Sequence, residues 1–214
     1  MAVDAPADED ELDATLTEQV EAWLRERWDP SMTVDEWWAE VAAAGWTTPH
    51  FPPEWGGRGL PRRAQAIVRE TFRRHGALMP PGGLGLLMAA PTILTHGTPE
   101  QIARLVPPIL DGSVAWCQLF SEPGAGSDLA GLRTRAVRDG DRWIVTGQKV
   151  WSSMAREADY GMLLARTASD RPKHAGISWF AFRMDQPGVD VRPLREATGH
   201  AIFNEVFLEE AVVD

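Results

Sequence analysis

The sequence predicts an α+β fold, an all-α N-terminal domain followed by an antiparallel β domain of barrel or sandwich type. Three observations carry this. Apolar residues recur at helical spacing up to about residue 112 and at strand-like spacing after it. Turn residues punctuate the second half at short intervals, as in an all-β unit. No Gly-x-Gly-x-x-Gly run follows a strand, which argues against a nucleotide-binding α/β sheet. The 214 residues accordingly divide into an acidic tail over 1–10, a helical domain over 11–113 and a β domain over 114–214.

Met1 to Asp10 is acidic, rich in small residues, and expected to be disordered. Leu12, Leu16, Val20, Trp23, Leu24 and Trp28 form the apolar stripe of a first helix, which ends at Pro30. Thr33 caps a second helix through Val34, Trp37, Trp38 and Val41, stopped by Gly45. Between Trp46 and Leu60, Pro49, Pro52, Pro53, Gly56, Gly57 and Gly59 preclude regular structure and predict an ordered loop. Pro61 suits the first turn of a helix carrying Ala64, Ile67, Val68, Thr71 and Phe72 to Gly76. Pro80 to His96 reads as a largely apolar helix after a glycine-rich start, buried on several faces. Thr98, followed by Pro99, Glu100 and Gln101, begins one more helix, which runs through Leu105 and is closed by Asp111-Gly112. Strands are predicted at Ala115 to Phe120, Arg133 to Arg138, Trp143 to Thr146, Tyr160 to Thr167, Ile177 to Arg183, Val189 to Arg192 and Val206 to Glu209. The second and third are joined by a turn at Asp139-Gly140-Asp141.

With 44% hydrophobic and 24% charged residues the chain can bury a sizeable core. Its formal charge of −10 is concentrated at the start, where residues 1–40 hold thirteen acidic side chains against Arg25 and Arg27. The remainder is nearly neutral, so no basic stripe for nucleic acid is expected. A single cysteine, Cys117, excludes an internal disulfide framework and reads as a small core residue. His50, His75, His96, His174 and His200 lack ligand spacing, and no metal is expected. The start lacks the features of a secretory signal and no apolar run reaches transmembrane length, which predicts a cytoplasmic protein.

Chemistry concentrates in two segments. In Phe120-Ser121-Glu122-Pro123-Gly124-Ala125-Gly126-Ser127-Asp128, the proline and glycines prescribe a tight turn. Its backbone N–H groups, with the Ser121 and Ser127 hydroxyls, can hold a polar cofactor edge. Gly147-Gln148-Lys149-Val150-Trp151-Ser152-Ser153 follows across a hairpin. On an extended chain Trp151 presents an aromatic face, and Ser153 points to the same side.

These segments closely resemble the paired signatures of the acyl-CoA dehydrogenase family. The resemblance runs from about Leu12 to the last residue. It takes in Pro53-Glu54-Trp55-Gly56-Gly57, Thr98-Pro99-Glu100-Gln101, Trp116-Cys117-Gln118 and Phe203-Asn204-Glu205-Val206-Phe207. It implies a helical domain followed by an antiparallel β-barrel-like domain, FAD as cofactor, and α,β-desaturation of an acyl-CoA thioester with hydride transfer to flavin N5. Residue by residue, it places Phe120 and Ser121 at the pyrimidine side of the isoalloxazine, and Gly126 and Ser127 where the flavin pyrophosphate and thioester chain meet, Ser127 also reaching the acyl-CoA. It places Trp151 beside the dimethylbenzene ring and Ser153 near N5. Implied partners are the acyl-CoA substrate, electron-transferring flavoprotein or a similar acceptor, and further subunits of a homo- or hetero-oligomer. The family's catalytic glutamate lies in a C-terminal helical domain that has no counterpart in these residues. Glu122 and Glu205 read as structural, and the chain by itself is expected to be inactive. A catalytically silent or scaffold subunit pairing with a full-length relative, and a fragment of an acyl-CoA oxidase, are the alternative readings.

Overall fold

The computed structural model describes residues 9–214, with side chains from Glu11 onward. Most of the acidic tail expected to be disordered therefore lies outside the described residues. The chain forms two compact units, one comprising residues up to Gly82 with Ala90–Ser113, the other Gly83–Ala89 with Val114–Asp214.

The first unit contains α1 (Glu9–Arg27), α2 (Val34–Ala43), α3 (Ala64–Arg74), α4 (Ala90–His96), α5 (Pro99–Leu105) and α6 (Pro107–Leu110). Its core takes Leu16, Val20 and Leu24 from α1, Trp37 and Val41 from α2, and Val68 and Phe72 from α3. Trp37 is the hub. Its ring lies 5.2 Å from that of Trp23 and 4.7 Å from that of Trp28, and its indole N–H donates to Leu78 O at 2.7 Å, so the polar edge of a buried ring is satisfied. Both predicted caps form as capping boxes, Thr33 with Glu36 and Thr98 with Gln101, each pairing two backbone donors that the first helical turn leaves over. The loop between Trp46 and Leu60 contains one 3₁₀ turn, Pro53–Trp55. After α5 the chain makes the short α6, because Pro107 and Pro108 have no N–H with which to continue the ladder.

The apolar segment from Pro80 to His96 departs from expectation. It enters α4 through a π-helical turn, Gly85–Ala89. It is not buried on several faces: Gly85, Ala89, Ala90 and Ile93 are buried, whereas Leu87 is 75% exposed. An all-round apolar composition indicated all-round burial, and that inference fails here.

The second unit is a seven-stranded sheet of β1 (Trp116–Leu119), β2 (Arg135–Asp139), β3 (Arg142–Ser153), β4 (Tyr160–Arg166), β5 (Ile177–Arg183), β6 (Val189–Leu194) and β7 (Phe203–Val213). The hydrogen-bonded order is β1-β4-β2-β3-β7-β6, with β5 also paired to β4. The α+β class holds. Within the sheet β1 and β2 pair with β4 in parallel and the other pairings are antiparallel, so the sheet is mixed. Side chains from β1 (Cys117, Leu119), β3 (Val145), β5 (Phe182) and β7 (Val206, Leu208) meet in one cluster, with Val189 and Val191 of β6 packed against it. A flat sheet could not bring these strands together, so the sheet curls around its core. Cys117 is wholly buried there, and burial pushes its thiol up to about 12, which makes it unreactive at neutral pH.

β3 and β7 are much longer than predicted and are bulged against each other at two places. One bulge carries Glu210 and the other Trp151, both in the left-handed region at φ 53° and 60°. Gly147 lies between these irregularities. A Cβ there would stand 2.3 Å from Thr134 Oγ1 and 2.7 Å from Thr134 Cα. Gly147→Ala is therefore expected to lower stability by about 1–3 kcal/mol. Urea unfolding checks this, and an unchanged midpoint would contradict it.

Candidate functional site

Leaving β1, the chain passes through Phe120 and Ser121 into a tight turn over Glu122-Pro123-Gly124-Ala125. Glu122 N–H donates to Ala125 O at 2.9 Å and Ala125 N–H returns to Glu122 O at 3.0 Å. Pro123 takes the second position of the turn, where its fixed φ is preorganised. Neither Gly124 nor Gly126 has positive φ, so backbone conformation does not require glycine at either place. A Cβ at either would meet nothing within 4 Å. The glycines leave open space over exposed backbone, as close approach by a bound group needs.

Lys149 anchors this turn to β3. Its side chain is 0% exposed, and its ammonium donates to Glu122 Oε1 at 2.9 Å and to Phe120 O at 3.1 Å. Glu122 also accepts the backbone N–H groups of Arg133 at 2.6 Å and Thr134 at 2.9 Å. Burial alone would push the Glu122 carboxyl up. Hydrogen bonds from the Thr134 side chain and the Arg133 N–H, together with the Lys149 ammonium, hold it below its ordinary value. Val150 N–H donates to Ser121 O at 2.9 Å. The two sequence motifs thus meet, with Phe120 and Ser121 bonded to the β3 backbone and side chain that lead into Trp151.

Trp151 is 62% exposed, and its ring meets the edge of Phe203 at 5.9 Å and 85°. A bulky residue at φ 60° is uncommon and sits in strained backbone. The chain is not extended at this point, so the alternation that put Trp151 and Ser153 on one side of a strand does not apply. Ser153 is half-buried. Between them Ser152 is fully buried, and its Oγ has no hydrogen-bond partner. Gly126 and Ser127 are exposed just beyond the turn. Ser127 is not a helix cap: the 3₁₀ turn Leu129–Gly131 has Asp128 at its N-cap, and Asp128 pairs with Lys173.

Sequence reasoning missed the buried pair of Glu122 and Lys149. A usable signal existed: Val145, Gly147 and Lys149 share one face at period two, and Val145 faces the core. A lysine on that face needs a buried acid. Glu205, read as structural, pairs with the Gln148 amide. Among the described residues no group of three His, Cys, Asp or Glu could hold a metal ion, and no helix is long and apolar enough to cross a membrane.

Comparison with known proteins places these features in context. The family model described as the acyl-CoA dehydrogenase N-terminal domain matches residues 7–113, and that for the acyl-CoA dehydrogenase middle domain matches 117–211. The acyl-CoA dehydrogenase FadE34 of Mycobacterium tuberculosis is 51% identical over 81% of this chain and 24% of its own length. The acyl-CoA dehydrogenase IpdE1 of the same organism is 44% identical over 83% of this chain and 46% of its own. The chain thus spans 24% to 46% of the length of these relatives. Among solved structures, the ChsE4–ChsE5 complex from Mycobacterium tuberculosis has a TM-score of 0.71 at 33% identity, over 100% of this chain and 56% of that one. The G363A variant of the Tcur3481–Tcur3483 steroid ACAD has a TM-score of 0.74 at 29% identity, over 95% of this chain and 56% of that one.

Proposed function

The chain belongs to the acyl-CoA dehydrogenase family, and from that premise we propose that it forms the isoalloxazine side of an FAD site in an enzyme that desaturates an acyl-CoA thioester between Cα and Cβ. The observation that carries this reading is the locking of the Phe120–Ser127 turn to the Trp151 bulge through Lys149. The residues fit such a group. Gly124 and Gly126 leave backbone open to a polar ring edge, and Trp151 is held outward at some cost in backbone strain, where a planar ring can cover it.

In this reading Phe120 and Ser121 hold the polar edge, Gly126 and Ser127 the phosphate side, and Ser127 also the acyl-CoA. Trp151 packs on the apolar ring and Ser153 contributes a hydrogen bond beside it. When bound, FAD supplies the acceptor for the hydride that leaves Cβ. Proton removal at Cα falls to a carboxylate outside these 214 residues, because Glu122 is consumed by three donors and Glu205 by Gln148. Electron-transferring flavoprotein or a similar acceptor would be the redox partner of such a site. Two similar solved structures carry the names of two components each, which supports reading this chain as one component of an oligomer, paired with a relative that completes the site. One of them is named a steroid ACAD, which makes a steroid-bearing acyl-CoA a substrate to test beside straight-chain thioesters.

The 214-residue chain alone should bind FAD more weakly than about micromolar, since in this reading it forms one side of the site. Gly126→Val should weaken it by at least about tenfold more without disturbing the fold, because the new side chain enters open space. Fluorescence titration of FAD with circular dichroism of both proteins decides the matter. Equal affinity in the two would remove the turn from the cofactor site.

A further inference from the structure

Leu132 to Thr134 belong to no helix or strand, yet Leu132 and Thr134 are each 1% exposed, so their backbone polar groups need partners inside the protein. One residue of β4 meets their carbonyls. The Arg166 guanidinium donates to Ala130 O at 2.8 Å and, through Nε and Nη2, to Leu132 O at 3.3 Å each. The Arg166 backbone N–H donates to Thr134 O at 2.7 Å. Alternate carbonyls at 130, 132 and 134 are thus held from a single position. Nη1 donates to Lys173 O at 3.3 Å, and Lys173 pairs in turn with Asp128, the residue after Ser127. Strand pairing does not hold this stretch, since β2 and β4 share only the pair Arg135 with Arg166.

The same stretch turns its N–H groups toward the cofactor turn. Those of Arg133 and Thr134 donate to the Glu122 carboxylate at 2.6 and 2.9 Å. The peptide between Leu132 and Arg133 is therefore bonded at both ends, its oxygen by Arg166 and its hydrogen by Glu122, and bonds chained in this way strengthen one another. From Glu122 the chain continues through Lys149 to Phe120 O, one residue before the Ser121 O that accepts from Val150. Among the described residues Arg166 pairs with no carboxylate, and each bond its guanidinium makes ends on a carbonyl oxygen. A rigid planar fork of donors suits that task, and the single ammonium of a lysine does not. We propose that Arg166 is a positioning residue for the candidate cofactor turn: it fixes the buried stretch from Ala130 to Thr134, and that stretch fixes the Glu122 carboxylate to which the turn is tied. The proposal rests on the flavin reading only for what the turn holds.

Amide hydrogen exchange of the 214-residue chain, followed by NMR with no flavin present, tests the positioning by itself. FAD titration of the same proteins tests what is positioned. In Arg166→Met the Arg133 and Thr134 amides should exchange at least about tenfold faster. So should the Val150 amide, which meets Ser121 on the far side of the Glu122 and Lys149 pair. Amides of β7, held between β3 and β6, should keep their rates. FAD affinity should fall about tenfold. Arg166→Lys should resemble Arg166→Met, because it keeps the charge and loses the fork, whereas ethylguanidinium added to Arg166→Ala should restore the Val150 rate. If Arg166→Met does not fold, Arg166→Lys decides. An increase that stops at Thr134, an increase of equal size throughout the sheet, or a wild-type Val150 rate in Arg166→Lys overturns the proposal. A faster Val150 amide with unchanged FAD affinity keeps Arg166 as the positioning residue and removes the flavin from the turn.

Discussion

Lys149→Met, made alone, is expected to destabilise the β domain by about 3–5 kcal/mol, because it strands the Glu122 carboxylate in the interior with two N–H donors and no counter-charge. The cost should fall when both partners go. In Lys149→Met combined with Glu122→Gln the buried charge is removed with its partner, and the residual loss should be smaller than the sum of the single variants. Urea unfolding of the four proteins closes the cycle, and strict additivity would mean that the 2.9 Å contact contributes no coupling. The sign of the pH dependence follows from the direction of the Glu122 shift. Its folded-state value lies below the ordinary 4.5, so between the two values the unfolded chain binds more protons than the folded one. Its contribution is complete above about 4.5 and is lost as the pH falls through the depressed folded value. For Lys149, burial pulls the ammonium down while Glu122 opposes it. In the Glu122→Gln protein the acid limb of the stability profile should be shallower, and an identical limb would dissociate Glu122 from it.

How much of this was legible in the sequence depended on how local the signal was. Thr33 and Thr98 announce their helices because a cap and its partner lie three residues apart, and both boxes form. The hairpin at Gly140 was readable for the same reason. The parallel pairing of β1 with β4 was not, since turn residues report only on strands adjacent in sequence, and Trp116 meets Tyr160 across the whole β2–β3 hairpin. β3 and β7 were underestimated where Gly147, Lys149, Glu209 and Glu210 interrupt the apolar alternation. The structure absorbs those residues by a close approach, a buried ion pair and a bulge, each of which needs a partner far along the chain. At the candidate site the turn was evident from Pro123 and its glycines. The bulge at Trp151 was not, because it exists only relative to the β7 register, where Lys149 pairs with Val206 and Ser152 with Asn204.

On the proposed FAD reading, that bulge should separate stability from cofactor retention at Trp151. In an assembled enzyme containing this chain, Trp151→Ala is expected to weaken FAD binding about tenfold, the worth of one aromatic stacking contact. Folding should change by less than about 1 kcal/mol, as the side chain is 62% exposed and its main ring contact is the edge of Phe203. Trp151→Gly should leave the fold as stable or more so, because glycine occupies φ 60° without the strain that a side chain incurs there. Cys117→Ala should behave in the opposite sense, costing about 1 kcal/mol of stability for a buried sulfur while leaving FAD affinity alone. Ser153→Ala is expected to retain FAD nearly as well as wild type but to slow flavin reduction, since a hydrogen bond beside the reacting edge matters most as charge develops. Dissociation constants from FAD fluorescence, unfolding midpoints, and flavin bleaching by saturating acyl-CoA in stopped flow measure the three quantities separately. If Trp151→Ala and Trp151→Gly both retain FAD as tightly as wild type, the ring does not cover a cofactor. The strained bulge would then need another explanation, with the flavin assignment resting on the turn and Ser153.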